Sequence, residues 1–141
     1  MAMPVSPAAP SILFVCVANS CRSQIAEAAA HMAGGAWEVW SAGSQPSGRV
    51  HPLAVQLMAE LGQNLSSHRS KGLREVPSRR WEYVVTMGCG DACPTVDARH
   101  HVAWDIPDPV GLPLGEARQI RDQIIELVRQ LMRQHHAQGS P

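Results

Sequence analysis

Apolar positions along this chain fall into runs and stripes, and the two alternate. Residues 11–17 hold the unbroken run Ile12-Leu13-Phe14-Val15, which has no polar face and predicts a strand covered on both sides. Ile25, Ala28, Ala29 and Met32 follow at helical spacing within residues 23–33, and Gly34-Gly35 supplies the stop. Trp37-Glu38-Val39-Trp40 predicts a short second strand, after which residues 41–48 are rich in turn formers. A second helix is predicted from Pro52, with Leu53, Leu57 and Leu61 in one stripe and Gly62 at its end. Residues 81–87 read as a third strand and residues 101–106 as a shorter fourth. The last helix spans residue 115 to about residue 134, with Ile120, Ile124, Leu127 and Leu131 facing inward. Residues 63–80 carry mixed helical and loop signals.

Strands alternating with helices predict an α/β fold: a single domain built on a four-stranded parallel sheet with helices on both faces. In such sheets ligands bind at the carboxyl ends of the strands, near the point where strand order reverses. At 141 residues the chain is long enough for one domain with a proper core, expected over residues 11–136. Residues 1–10, rich in Pro and Ala, are expected to be a disordered tail, and residues 137–141 a second tail. The opening segment lacks the cationic start and apolar core of a signal peptide and the length of a membrane span, so a cytoplasmic protein is expected. Lys plus Arg equals Asp plus Glu at 12 each, which argues against a nucleic-acid or membrane surface. In a reducing compartment the four cysteines point to catalysis or metal binding rather than to staples. The seven histidines show no ligand spacing, no metal is expected, and His135-His136 is placed at a fraying helix end.

The candidate chemistry centres on Cys16-Val17-Ala18-Asn19-Ser20-Cys21-Arg22-Ser23, which links the first strand to the first helix. A strand feeding a short loop and then a helix N-terminus makes an anion site, because backbone N–H groups point inward and the helix dipole adds positive charge. Residues 17–22 are the candidate oxyanion-binding segment. A thiol at its floor, Cys16, is expected to ionise more readily than usual. An Arg22 fork at the rim adds a bidentate donor to a bound tetrahedral oxyanion. Asn19 tolerates left-handed backbone and bonds loop amides, and the Ser23 hydroxyl is placed to donate to the thiolate. Cys21 is read either as a regulatory partner of Cys16 or as a packing residue.

Asp105-Ile106-Pro107-Asp108-Pro109 follows the fourth strand, and its prolines stiffen the loop. An oxyanion that loses an oxygen leaving group needs a proton there, and Asp108 is the candidate general acid. Cys89 and Cys93 follow the third strand in Gly88-Cys89-Gly90-Asp91-Ala92-Cys93. An ideal helix puts residues four apart at a Cα separation of about 6.2 Å, near the far end of the disulfide range. Glycines between them favour a bond that forms and breaks. Two unpaired thiols, or a zinc site with His100 or His101, are the alternatives.

Cys16 to Glu27, Ser41-Ala42-Gly43, Val84-Val85-Thr86-Met87-Gly88-Cys89 and Asp108-Pro109 together resemble the arsenate reductases related to low-molecular-weight protein tyrosine phosphatases. The resemblance runs from about residue 11 to 134 and implies that family's phosphatase-like fold. Ser20, Gln24 and the Cys89/Cys93 pair tilt it toward the reductases. Val110 stands where phosphatases carry an aromatic residue after Asp-Pro, and the chain has a single Tyr and a single Phe.

The resemblance implies a cycle in which Cys16 attacks arsenate held by Arg22 and the loop, and Asp108 protonates the departing oxygen. Cys89 then releases arsenite by forming a disulfide with Cys16, and Cys93 passes that disulfide to an external thiol. No bound cofactor is implied, only a dithiol or thiol reductant such as thioredoxin. The three-residue gap between Cys89 and Cys93 is shorter than in thioredoxin-coupled members and is similar to actinobacterial ones, some of which use a small thiol such as mycothiol. A phosphatase using the same Cys16, Arg22 and Asp108 is the alternative activity, and a non-enzymatic arsenite-binding module is the other. Some reductases bind potassium near the loop, which by resemblance involves Asn19, Glu27 and Ser41. Lys71 stands where a further acidic ligand is expected.

Overall fold

The structure, a computed structural model, describes residues 9–88 and 95–139. Its elements follow the expected alternation: β1 (Ser11–Cys16), α1 (Arg22–Ala33), β2 (Glu38–Gly43), α2 (Pro52–Ala59), β3 (Trp81–Met87), β4 (Ala98–Trp104) and α3 (Leu114–Gly139). A short 3-10 helix, Leu73–Glu75, lies within the stretch whose sequence signals were mixed. The sheet has four strands in the order β2-β1-β3-β4, all parallel. The chain leaves β1 for β2 on one side and then crosses to β3 on the other. Strand order therefore reverses at the carboxyl end of β1, where an α/β sheet opens a crevice.

Both faces of the sheet are covered, but unequally. Ile12, Phe14 and Cys16 look toward the larger core with Ile25, Ala28 and Ala29 of α1 and Ile120, Ile124 and Val128 of α3. The Ala54, Leu57 and Met58 side chains of α2 join that core. Leu13, Val15, Val84 and Trp81 face the other way, under Leu73, Val76 and Val96 of the 3-10 helix and flanking loops. The strand at the centre is buried throughout, as its unbroken apolar run predicts. Seven positions of α1 are buried, from Ser23 to Ala30, because it lies between the sheet and α3. Alanine on that helix permits the close approach.

Several boundaries moved, each for a tertiary reason. The turn-like Ser41-Ala42-Gly43 continues β2, because these residues pair with Phe14, Val15 and Cys16. β4 starts at Ala98 rather than His101, drawn in by Trp81↔Ala98 and Tyr83↔His100 pairing, and Ile106 lies beyond its end. α2 stops at Ala59, so Leu61 falls outside the helix and is exposed, while Ala54 and Met58 take the inward positions. α3 runs past its expected end near residue 134, to Gly139.

His135 and His136 do not fray. The His136 Nε2 accepts from Trp37 Nε1 at 3.3 Å, and His135 Nδ1 lies 3.0 Å from the Tyr83 hydroxyl. Those rings fasten the end of α3 to the amino end of the sheet. Of the expected amino-terminal tail, residues 1–8 lie outside the described residues, and Pro10 is already tied in by Glu38 N donating to its carbonyl.

Candidate oxyanion site

The loop at the carboxyl end of β1 has its carbonyls engaged outward. Cys16 O accepts from Ser44 N (3.1 Å), Val17 O from Gln45 N (2.8 Å), and Ala18 O from Ser47 N (3.0 Å) and Ser70 Oγ (2.8 Å). Asn19 O accepts from Gln24 Nε2 (3.1 Å), Ser20 O from His51 N (2.8 Å) and Cys21 O from Ile25 N (2.9 Å). The C=O and N–H of one peptide point in opposite directions, so a loop pinned by its carbonyls turns its amides toward the cup. α1 begins at Arg22 with Cys21 as N-cap and no side-chain cap, which leaves its first-turn N–H groups to the same cup. Gly43 permits this closeness: a Cβ there would lie 2.6 Å from Val17 O and 2.9 Å from Asn19 N.

Asn19 is the single non-glycine residue with positive φ among the described residues, at 48°, the left-handed corner its type suits. Its side chain is fully buried and oriented by its neighbours. Oδ1 accepts from Gln24 Nε2 (3.0 Å) and Lys71 N (2.9 Å), so Nδ2 is the group that donates to Ser23 Oγ (2.7 Å). With its oxygen accepting from Asn19, the Ser23 hydroxyl has its hydrogen for Cys16 Sγ, 2.9 Å away. Cys16 is 2% exposed, so that hydroxyl is a directed donor rather than one competing with bulk water.

Arg22 is half-buried, and its Nη1 donates to Ile106 O at 3.0 Å. That bond ties the guanidinium to the segment bearing Asp108. Gly88, at φ 85°, gives it room, since a Cβ there would fall 2.2 Å from Nη1. Asp108 is exposed, and its Oδ1 accepts from Val110 N at 3.0 Å in an Asx-type turn, while Oδ2 has no hydrogen-bond partner among the described residues. Burial pushes the Cys21 thiol up to about 12, with the Asp108 and Cys16 charges adding to the rise. A thiol held protonated is a poor exchange partner, and of the two readings for Cys21 the packed one fits. Cys16 and Cys21 are both free. Cys89 and Cys93 lie outside the described residues.

The family described as low molecular weight phosphotyrosine protein phosphatase matches residues 11–140. This chain belongs to that family. An arsenate reductase of Staphylococcus epidermidis is 37% identical over 122 residues, covering 81% of this chain and 89% of that protein. A solved structure described as an arsenate reductase in the phosphate binding state superposes with a TM-score of 0.80 at 33% identity, covering 89% of this chain and 98% of the other. The thioredoxin-dependent arsenate reductase Cg_ArsC1' of Corynebacterium glutamicum gives a TM-score of 0.76 at 36% identity. The match covers 94% of this chain but 65% of that longer one. The family is one of enzymes, and its members similar to this chain include reductases as well as the phosphatases of its name.

A bound potassium ion, as in some reductases of the family, does not fit the residues present. Glu27 Oε1 and Ser41 Oγ do converge, at 2.6 Å, but Lys71 Nζ lies 3.6 Å and 3.4 Å from the same two oxygens. Asn19 Oδ1 is committed to Gln24 and Lys71 N. Among the described residues no group of three or more His, Cys, Asp or Glu side chains is placed to hold a metal ion. His100 stacks on Tyr83 and His101 Nε2 lies 2.6 Å from Val96 O.

Sequence reasoning missed the support of the site. Gln24 stood out as a family marker, yet it is a buried bridge that donates to Asn19 O, Asn19 Oδ1 and Arg69 O. His68 Nδ1 lies 3.0 Å from Gln24 Oε1 and 3.4 Å from Glu27 Oε2, and two acceptors on either side assign its hydrogen to that nitrogen. Desolvation lowers the His68 pKa, although the Glu27 charge opposes that shift. Ser70, Lys71 and His68 come from the stretch with mixed signals, far along the chain from the loop they brace. Nothing periodic marks such residues. Their polarity within a segment lacking helix or strand pattern was the available signal.

Proposed function

We propose that this enzyme reduces arsenate to arsenite in the cup between Cys16 and Arg22. The observation that carries the reading is the loop itself, whose carbonyls from Cys16 to Cys21 are all engaged outward above a thiol that the Ser23 hydroxyl faces at 2.9 Å. Inward amides suit a tetrahedral oxyanion, and the thiolate beneath it is the nucleophile. Kinship with proteins named arsenate reductases supports arsenic over phosphorus as the working substrate, as does exposed Val110 in the place of an aromatic clamp.

Cys16 Sγ forms a bond to arsenic, and the displaced oxygen takes a proton from Asp108 and leaves as water. Arg22 and the loop amides neutralise the remaining oxygens. Cys89 thiolate then attacks Cys16 Sγ: an S–S bond forms, the S–As bond breaks, and its electron pair stays on arsenic. Two thiols have been oxidised and As(V) has become As(III), so the step balances. Cys93 attacks Cys89, frees Cys16 and leaves a Cys89–Cys93 disulfide for an external dithiol or small thiol of a reducing cytoplasm. Hydrolysis of phosphate esters is the second reading, favoured by the family's phosphatases and by the shape that phosphate shares with arsenate.

The test is arsenate-dependent NADPH oxidation with thioredoxin and its reductase, run on the native chain, Cys16→Ser and Cys89→Ser. Turnover in the native chain that both substitutions abolish supports the relay. Inactivity with arsenate, joined to p-nitrophenyl phosphate hydrolysis that ignores Cys89→Ser, makes the protein a phosphatase. Arsenate turnover that appears only when mycothiol and its reductase replace thioredoxin reassigns the reductant, and Cys93→Ser then leaves the rate unchanged.

A further inference from the structure

Asn19, the left-handed corner of the loop, backs onto a buried ion cluster. The Glu27 side chain is 12% exposed, and its oxygens are divided between partners. Oε1 accepts from Ser41 Oγ at 2.6 Å and faces Lys71 Nζ at 3.6 Å, while Oε2 faces His68 Nδ1 at 3.4 Å. Lys71 is 7% exposed, and its ammonium also lies 3.4 Å from Ser41 Oγ and 3.5 Å from Arg69 O. A carboxylate removed from water needs a positive partner, and an ammonium surrounded at such distances by a carboxylate, a hydroxyl and a carbonyl occupies a cage of the kind that holds a monovalent cation. The backbone of the same residue grips the loop: Lys71 N donates to Asn19 Oδ1 at 2.9 Å, and Gly43 N donates to Lys71 O at 2.9 Å. Charge and scaffold therefore meet in one residue, and moving the ammonium means moving the partner of Asn19.

We infer that Lys71 is a built-in monovalent cation, a positioning residue that holds Asn19, and through it Ser23 and Cys16, in the anion-binding arrangement without an ion from solution. This rests on the loop binding a tetrahedral oxyanion, which the reductase and phosphatase readings share. A cavity of about 450 Å3, lined in part by Glu27, His68 and Lys71, opens over the cluster. Removing the ammonium thus leaves the carboxylate within reach of dissolved cations.

The probe is inorganic phosphate, and the readouts are its Kd and the Tm of the full chain in KCl, NaCl and choline chloride at matched ionic strength. The native chain is expected to show the same Tm within about 1 °C and the same Kd within about twofold in all three salts. Lys71→Met is expected to weaken phosphate by about tenfold in choline chloride, and KCl, but not more choline, is expected to recover most of that loss. Lys71→Arg keeps the affinity within about threefold, since it keeps the charge. A potassium-specific gain in Tm or affinity of the native chain overturns the inference. So does a Lys71→Met protein that binds phosphate as the native chain does in choline chloride. Should Lys71→Met not fold, the native-chain comparison decides alone. A native chain that binds no phosphate in any salt refutes the oxyanion-loop reading instead, and its Tm series still judges the lysine.

Discussion

At the carboxyl end of the sheet the backbone engages its carbonyls and leaves its amides, whereas at the amino end donors and acceptors are matched. The loop from Cys16 to Arg22 is held from outside by amides of residues 44–51 and by the Ser70 and Gln24 side chains. The opposite end carries Trp37, Tyr83, His100, His135 and His136, whose rings pack edge to face or stacked. There the indole N–H meets His136 and the phenol meets His135, so little polar capacity is left over. Both ends bury polar atoms, yet they serve different ends. A surplus of donors aimed at one point makes an anion site, and a matched set closes a surface.

The contrast breaks most sharply at Ser23. Ser23→Ala removes the hydroxyl 2.9 Å from Cys16 Sγ but none of the loop's outward carbonyl bonds. Turnover is expected to fall by about 10²-fold. Phosphate affinity, which reports the amide cup, should stay within about threefold by calorimetry. An equal loss in both would mean that the hydroxyl holds the loop rather than the Cys16 thiol.

The glycines sharpen the comparison next. Gly88 and Gly111 have nearly the same φ, 85° and 87°, but a Cβ on Gly88 meets Arg22 Nη1 at 2.2 Å, and one on Gly111 meets nothing within 4 Å. Both Ala variants bear the backbone strain of about 1–3 kcal/mol, read as a shift in urea midpoint. Gly88→Ala alone should also weaken phosphate, by about ten- to thirtyfold. Equal phosphate affinities in the two variants would show that Arg22 accommodates the methyl group.

At the amino end, Trp37→Phe removes the donor to His136 while keeping most of the ring. A loss of about 1 kcal/mol in chemical denaturation is expected, with kcat and KM unchanged. A change in turnover would mean that the two ends are coupled.

The smallest effect is a pH slope. Desolvation lowers the pKa of His68 and of His135 below the usual value of 6.5. The unfolded chain therefore binds more protons in the window below that value, and stability falls as pH drops through it. A decline of Tm by a few degrees between about pH 7.5 and 5.5 is expected. His135→Gln should flatten part of that decline and leave phosphate binding alone. An unchanged slope would place the titration at His68 or elsewhere.

The alternation of strands and helices follows from features that repeat locally, and the Cys16 loop from a few consecutive residues between two of them. The apolar run before Cys16, the alanine-rich helix after Arg22 and the stripe of α3 are periodic, so their physics is written into neighbouring residues. β4 starts earlier than its own pattern predicts because pairing with Trp81 and Tyr83, and not local pattern, decides where it begins. His135 and His136 looked like a fraying end, since nothing beside them in sequence announces Trp37 or Tyr83.

The sequence by itself determined that a thiol, an asparagine corner, an arginine and a helix N-terminus share one short loop, because a few consecutive residues suffice to build it. Only the tertiary structure decided what turns that loop inward and holds it: Gly43, Gln24, His68, Ser70 and Lys71. Gln24, His68 and Ser70 arrive as side chains that satisfy polar groups across many residues of chain, Lys71 as a backbone N–H for Asn19 Oδ1, and Gly43 as a missing Cβ where backbone approaches backbone. Such needs arise when groups leave water, and that happens only once the chain has folded.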